Sequence, residues 1–295
     1  MTPVAVQAFA DQAEAARRLA EALAIPFREI ALHRFPDGEF LPRTPAPADT
    51  VIAYASLDHP NEKLIALLLA ADAWRRAGVT RLVLVAPYLC YMRQDRVFRP
   101  GEPLSRDVVC GLLGAAFDRV VTVEAHRHRT HDLSAAFGGI EVQDLSAAGP
   151  LASALSAAER PLVVGPDAES EPWVRAIAER LRGDVLVFRK SRLGDAEVRL
   201  EPPDLSSVRG RAVVLIDDVA ASGATLAGAA ALLRIAGAAF IEAGVVHALF
   251  DDAAETRLRA AGVGRIVSTD AIAHPTNAAP LAGLLAHALH DEVRP

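Results

Sequence analysis

The sequence predicts an α/β protein of two doubly wound parallel-sheet domains, and three observations carry that expectation. Short apolar runs of strand length alternate with longer helical patterns along all 295 residues, the signature of βα units and parallel sheets. The apolar runs lack a polar alternation, as strands covered on both faces do. The alternation pauses near Gly138-Gly139 and at Gly149-Pro150 and then restarts, so two series of similar length result. The expected division is a first domain over 1–144, a second over 145–280, and a closing helix over 281–295 that packs back on the first.

In the first series Val4–Phe9 reads as a strand and Asp11–Leu23 as a helix. Glu29–His33 and Val51–Tyr54 read as strands. Pro60–Ala77 carries a helical period stopped by Gly78. Leu82–Ala86 is a buried strand, followed by a long polar segment from Pro87 to about Leu104. A loop of that length inside a compact domain is uncommon and tends to be functional. Arg106–Ala116 reads as a helix and Val120–Val123 as a strand. In the second series Leu162–Val164, Val185–Phe188, Val213–Ile216, Ala239–His247 and Ile266–Thr269 read as strands. Pro172–Leu181, Leu226–Ala236 and Ala253–Ala261 read as helices, and Pro280–Glu292 as the closing helix.

Composition narrows the function. A net charge of −6 argues against a general nucleic-acid binder, which is usually basic. No apolar stretch reaches the roughly 18 residues of a membrane span, and the N-terminus lacks a signal-peptide pattern. The two cysteines, Cys90 and Cys110, have no metal-ligand spacing and suggest no disulfide framework, so a cytoplasmic location is expected. The 31 basic residues include only two lysines, Lys63 and Lys190. A retained lysine can mark a place where a compact ammonium matters. Lys63 belongs to no motif.

The strongest motif is Val213-Val-Leu-Ile-Asp-Asp-Val-Ala-Ala-Ser-Gly-Ala-Thr-Leu226. A buried strand ends in two carboxylates, Asp217 and Asp218, where open α/β sheets place their ligands. Ser222, Gly223, Ala224 and Thr225 are small enough for backbone N–H groups to approach an anion, and the following helix aims its positive end at the same spot. A phosphate suits the turn and a ribose suits the acids. The run lacks the Gly-Lys-Ser/Thr of a nucleoside-triphosphatase loop and the spaced glycines of a dinucleotide site.

Other segments carry chemistry too. In Pro87-Tyr-Leu-Cys-Tyr-Met-Arg-Gln-Asp-Arg96 the guanidinium groups of Arg93 and Arg96 offer forked donors to phosphates, and Gln94 can read a purine edge. Arg34-Phe-Pro-Asp-Gly-Glu-Phe40 has the turn chemistry of a hairpin or loop tip. Val123-Glu-Ala-His-Arg-His-Arg-Thr-His-Asp132 follows a strand end, and its histidines lack the partners of a structural zinc site. Asp167 ends another buried strand, as a ligand carboxylate or as a helix cap. Arg189-Lys-Ser-Arg-Leu-Gly-Asp-Ala-Glu-Val198 is a loop or surface hairpin holding Lys190 and Arg192.

These segments, in this order, resemble the motifs of ribose-phosphate pyrophosphokinases, and the resemblance spans nearly the whole chain. It implies domains of the phosphoribosyltransferase type, Mg2+ as cofactor, and transfer of the pyrophosphoryl group of ATP to the 1-hydroxyl of ribose 5-phosphate. Phe35, Asp37, Glu39, Arg93, Gln94, Asp95, Arg96 and His126 would then bind ATP. His126 and Asp167 would support the metal, with His128 assisting and His131 less directly involved. Asp217, Asp218, Ser222, Gly223, Ala224 and Thr225 would hold ribose 5-phosphate, and Lys190 and Arg192 would be catalytic. The compact Lys190 loop is similar to that of archaeal-type members. In the family the Phe-x-Asp-Gly-Glu loop serves adenine across a subunit boundary, which implies a homo-oligomer with active sites near its interfaces. Two departures stand out: Glu124 where the family often has Asp, and Ala221 where many members carry a third acid. The alternatives are a non-catalytic relative that senses nucleotide and sugar phosphate, and a phosphoribosyltransferase.

Overall fold

The computed structural model describes residues 4–45, 48–97, 99–126, 132–156, 159–192, 198–201 and 203–294. The chain divides into two compact units, residues 1–145 with 282–295, and residues 146–281.

The first unit runs β1 (Val4–Phe9), α1 (Ala13–Leu23), β2 (Phe27–Arg34), β3 (Phe40–Arg43), β4 (Thr50–Tyr54), α2 (Pro60–Arg76), β5 (Arg81–Ala86), α3 (Ser105–Ala116), β6 (Arg119–Val123) and β7 (Glu141–Leu145). The second unit follows as α4 (Ala148–Ala154), β8 (Leu162–Gly165), α5 (Glu171–Leu181), β9 (Asp184–Val187), β10 (Arg189–Arg192), β11 (Val198–Glu201), β12 (Ala212–Ala220), α6 (Ala224–Ile235), β13 (Phe240–Ala248), α7 (Asp252–Ala260), β14 (Arg265–Thr269) and β15 (Asn277–Ala279). The chain then returns to the first unit with α8 (Ala282–Ala288) and α9 (His290–Val293).

The first sheet has the order β3-β2-β1-β4-β5-β6-β7 and is parallel except for β3, which pairs antiparallel with β2. The second has the order β15-β14-β13-β12-β8-β9 and is parallel throughout. Both contain six parallel strands in the same order, β2-β1-β4-β5-β6-β7 and β9-β8-β12-β13-β14-β15. The first of these parallel strands, β1 or β8, lies between the second and the third, and the order reverses there. That reversal is the switch point at which doubly wound sheets bind ligands, outside the carboxyl ends of the strands.

Each unit has its own apolar core. In the first, Leu67, Trp74, Leu82, Leu84 and Leu113 are fully buried. The one polar atom of the Trp74 ring is satisfied across the core, donating to Gln7 Oε1 at 2.8 Å. In the second, Phe188, Leu215, Leu233 and Leu258 fill the same role.

Four expectations from sequence change. Strand β12 does not stop at Ile216 but runs to Ala220, because Asp217 and Val219 keep their parallel ladder with β13. Gly149-Pro150 is no interruption: it lies in the first turn of α4, where the helix needs no N–H donor from Pro. The closing helix over Pro280–Glu292 is two short helices, interrupted at Leu289. Edge strands β3, β7 and β15 had no apolar run to announce them. Among the described residues no helix is long and apolar enough to cross a membrane.

Candidate functional site

In the second unit, three segments emerge side by side from the carboxyl ends of β12, β8 and β9, which are neighbours in the sheet. Beyond β12, Ala221 to Gly223 turn the chain into α6. Gly223 is the residue before the helix and has φ +66°, a left-handed backbone that a side chain resists. A Cβ there would also touch Leu258 and Ala254 of α7 at 3.5–3.6 Å. The first N–H groups of α6 have no acceptor within the helix, so the turn presents donors and a positive dipole end together. Replacing Gly223 by Val is expected to weaken at least tenfold the binding of an anion at this turn, measured by calorimetric titration with inorganic phosphate and with ribose 5-phosphate.

The two acids sit inside the last turns of the strand rather than beyond it. Asp217 Oδ1 accepts from Asp218 N (3.1 Å), and Asp218 Oδ1 accepts from Val219 N (2.8 Å). Asp218 is buried and Asp217 half-buried. Beyond β8, Asp167 Oδ1 accepts from Glu169 N and Ser170 N at 3.0 and 3.1 Å, which makes it the cap of a 3-10 turn, Ala168–Ser170, leading into α5. Beyond β9, buried Phe188 anchors the chain through Phe188 N to Gly165 O (2.9 Å). The Lys190 segment then forms an antiparallel ribbon in which Lys190 pairs with Leu200 and Arg192 with Val198.

In the first unit, the candidate segments again leave the carboxyl ends of strands. The 34–40 segment is the tip of the β2–β3 hairpin. It is closed by Phe35 N to Glu39 O and Gly38 N to Phe35 O, both 2.9 Å, and by Glu39 N donating to Asp37 Oδ1 at 3.1 Å. One oxygen of Asp37 thus orders the tip. Phe35 is exposed and meets His33 edge-on at 4.5 Å. After β5, Leu89, Cys90 and Met92 are buried while Arg93, Gln94 and Arg96 are exposed and Asp95 is half-buried. The loop is therefore anchored at one end and presents its polar groups at the other.

Helix α2 separates these two segments. Tyr91 Oη donates to Asn61 Oδ1 (2.6 Å), while the next residue, Glu62, takes both Nη atoms of Arg34 at 3.1 and 2.6 Å. Strands β2 and β5 are three sheet spacings apart, roughly 14 Å, with β1 and β4 between them. After β6, Glu124 is buried with φ +43°. Such a backbone is uncommon outside glycine, and it turns the chain so that half-buried His126 follows. Glu124 N donates to Leu145 O and Ala125 N to Asp144 Oδ1, both at 2.9 Å, so β7 fixes this turn. His128 and His131 lie outside the described residues.

Some features have no signal in the sequence. Gln12 makes two bonds to the backbone of Ser56, accepting from its N–H at 2.5 Å and donating to its carbonyl at 3.2 Å. Gln12 thus bridges the segments that follow β1 and β4 at the first switch point. Lys63 donates to Ser56 O (3.1 Å) and to Asp58 Oδ1 (2.7 Å), a structural use of one of the two lysines. Both thiols are buried, and burial pushes each up to about 12, so neither Cys90 nor Cys110 is a nucleophile. Among the described residues, no cluster of three His, Cys, Asp or Glu side chains could encase a metal.

The fold and the turn after β12 define a two-unit protein of the phosphoribosyltransferase class. The N-terminal domain of ribose phosphate pyrophosphokinase matches residues 4–116, and the phosphoribosyl transferase domain matches residues 145–280. A ribose-phosphate pyrophosphokinase of Methanopyrus kandleri is 35% identical over 280 residues, covering 93% of this chain and 94% of that protein. One of Thermococcus kodakarensis is 34% identical, covering 84% and 88%. The crystal structure of phosphoribosylpyrophosphate synthetase from Mycobacterium smegmatis superposes with a TM-score of 0.83 at 26% identity, over 98% of both chains. The chain belongs to the ribose-phosphate pyrophosphokinase family.

Proposed function

We propose that this chain is a ribose-phosphate diphosphokinase, converting ATP and ribose 5-phosphate to phosphoribosyl pyrophosphate and AMP for nucleotide synthesis. The observation that carries the reading is the grouping of the Ser222–Thr225 turn, Asp167 and the Lys190 ribbon at the ends of three adjacent strands. The turn binds the 5-phosphate, and Asp217 and Asp218 accept from ribose hydroxyls. The 1-hydroxyl oxygen attacks the β-phosphorus in line and gives up its proton to solvent, the bond from that phosphorus to the α,β-bridging oxygen breaks, and AMP leaves with that oxygen. Positioning and charge stabilisation dominate such chemistry.

Arg93, Gln94, Asp95, Arg96 and His126 bind ATP, and Phe35, Asp37 and Glu39 hold adenine. The separation of the 34–40 hairpin from the Arg93–Arg96 loop within one chain favours adenine being held by the hairpin of a second copy, in a homo-oligomer. Lys190 and Arg192 supply cations to the transferring group. Mg2+, when bound, neutralises the triphosphate, and His126 and Asp167 are the residues of this chain that would support it. The protein acts in the cytoplasm.

Phosphorus NMR of the purified protein with ATP, Mg2+ and ribose 5-phosphate tests this. Phosphoribosyl pyrophosphate with an equal amount of AMP is expected. ADP would mean transfer of a single phosphoryl group. Binding of both ligands without product would favour the sensing relative, for which Ala221 is the motivating departure. Consumption of added phosphoribosyl pyrophosphate by a base would favour a phosphoribosyltransferase.

A further inference from the structure

The turn after β12 is held from beneath by α7. Ala254, Arg257 and Leu258 lie three and four residues apart on one helix face. Ala254 and Leu258 are buried at the position of Gly223, and Arg257 Nη1 donates to the carbonyl of Ser222 at 2.5 Å. A turn that offers N–H groups to an anion must dispose of its carbonyl oxygens, whose partial negative charge opposes the ligand. Ser222 O is one such oxygen, and Arg257 takes it.

The consequence follows from the planarity of the peptide group. Within the trans peptide 222–223, the N–H of Gly223 points opposite to the carbonyl of Ser222. Fixing the carbonyl against Arg257 therefore fixes the direction of the Gly223 N–H. Glycine places little steric bar on rotation of this peptide, so an external anchor decides its orientation.

Helix α7 is itself anchored at both ends. Asp251 caps it through Ala254 N (2.9 Å). At its far end Arg259 bonds Gly264 O (2.6 Å) and Glu255. The residue before the cap, Phe250, is buried, and its carbonyl accepts from His274 Nε2 at 3.0 Å while the two rings meet at a tilt of 60° with centroids 4.4 Å apart. His274 Nδ1 accepts from Thr276 N (3.2 Å), which sets the tautomer with the proton on Nε2. Asn277 accepts from His274 N (2.9 Å) and donates to Ser268 Oγ (2.9 Å). A continuous set of bonds thus runs from β14 through His274 and α7 to the turn.

The geometry points to Arg257 as a positioning residue for sugar phosphate, acting by orienting the 222–223 peptide. The inference rests on the reading of the turn as the 5-phosphate site. Arg257→Ala is expected to raise the calorimetric Kd and the KM for ribose 5-phosphate about tenfold, with the KM for ATP and kcat within twofold, and Arg257→Lys is expected to recover most of the loss. Thr225→Ala serves as the control on the turn itself. If Thr225→Ala leaves ribose 5-phosphate binding unaltered, the turn is not the phosphate site. If Thr225→Ala weakens binding and Arg257→Ala does not, the positioning role is wrong. A fall in Tm with equal losses for both substrates would reduce Arg257 to a structural contact and overturn the proposal.

Discussion

Lys190→Ala is expected to lower kcat by about 10²–10³-fold while leaving the Kd for ribose 5-phosphate within twofold. Removing one group that stabilises charge as it develops has effects of that size, and an interaction made only in the transition state lowers turnover without touching ground-state binding. The backbone supports this separation. The turn proposed for ribose 5-phosphate follows β12, whereas Lys190 lies in the β10–β11 ribbon that grows from β9, beyond β8 in the sheet. Lysine is retained at this position in a chain that uses arginine almost everywhere else, which argues for a compact ammonium. Single-turnover measurement with radiolabelled ATP checks the prediction, and equal losses in kcat and in sugar-phosphate binding would refute it.

Glu292→Ala is expected to destabilise the first unit by about 1.5–3 kcal/mol, the cost of losing hydrogen bonds to a charged group, because Arg119 keeps Glu141 at 2.9 Å and Arg81 is 40% exposed, with a fall in Tm on the order of 5 °C. The Glu292 carboxylate is 6% exposed and receives Arg81 Nε and Nη2 at 2.6 Å and Arg119 Nη1 at 2.9 Å. Arg119 also donates to Gln143 Oε1 (2.8 Å) and Ala288 O (3.1 Å). One acid of α9 thus gathers the starts of β5 and β6, and Ala288 ties α8 to the same arginine. Burial pushes the Glu292 carboxyl up, but the hydrogen bonds from Arg81 and Arg119 outweigh it and hold the group below its ordinary value of 4.5. The sign follows: the stabilisation is fully present above about pH 4.5 and is lost as pH falls through the lowered value. Thermal unfolding from pH 7 down to pH 3 should show the wild-type advantage over Glu292→Ala shrinking in acid. An advantage independent of pH would exclude the ionised carboxylate as its source.

The central strands of both sheets were legible because they are apolar on both faces, and such runs admit few other readings. Three of the four outer strands, β3, β7 and β15, were not, whereas the fourth, β9, was. Phe40–Arg43 carries Pro42, and Glu141–Leu145 is mostly polar, since an edge strand needs neither burial on both faces nor every donor. The candidate segments could be read from the sequence because each is local. The turn after β12, the 34–40 tip and the Arg93–Arg96 loop are each contiguous. What supports them is not: Arg257 reaches Ser222 across 35 residues and Tyr91 reaches Asn61 across 30, just as Arg81, at the opposite end of the first sheet, reaches Glu292 across 211. No spacing rule signals such pairs. Asp167 was read both as a metal-supporting acid and as a cap. The cap is present, and one oxygen serves it.

The return of α8 and α9 to the first unit also has a meaning for synthesis. The second unit is continuous in the chain and is interposed between the two parts of the first. On the ribosome, residues 1–145 emerge well before Glu292, a delay on the order of ten seconds at ordinary elongation rates. Throughout that interval Arg81 and Arg119 lack their shared acid, so the first unit completes this ion-pair network only after the whole second unit has been made.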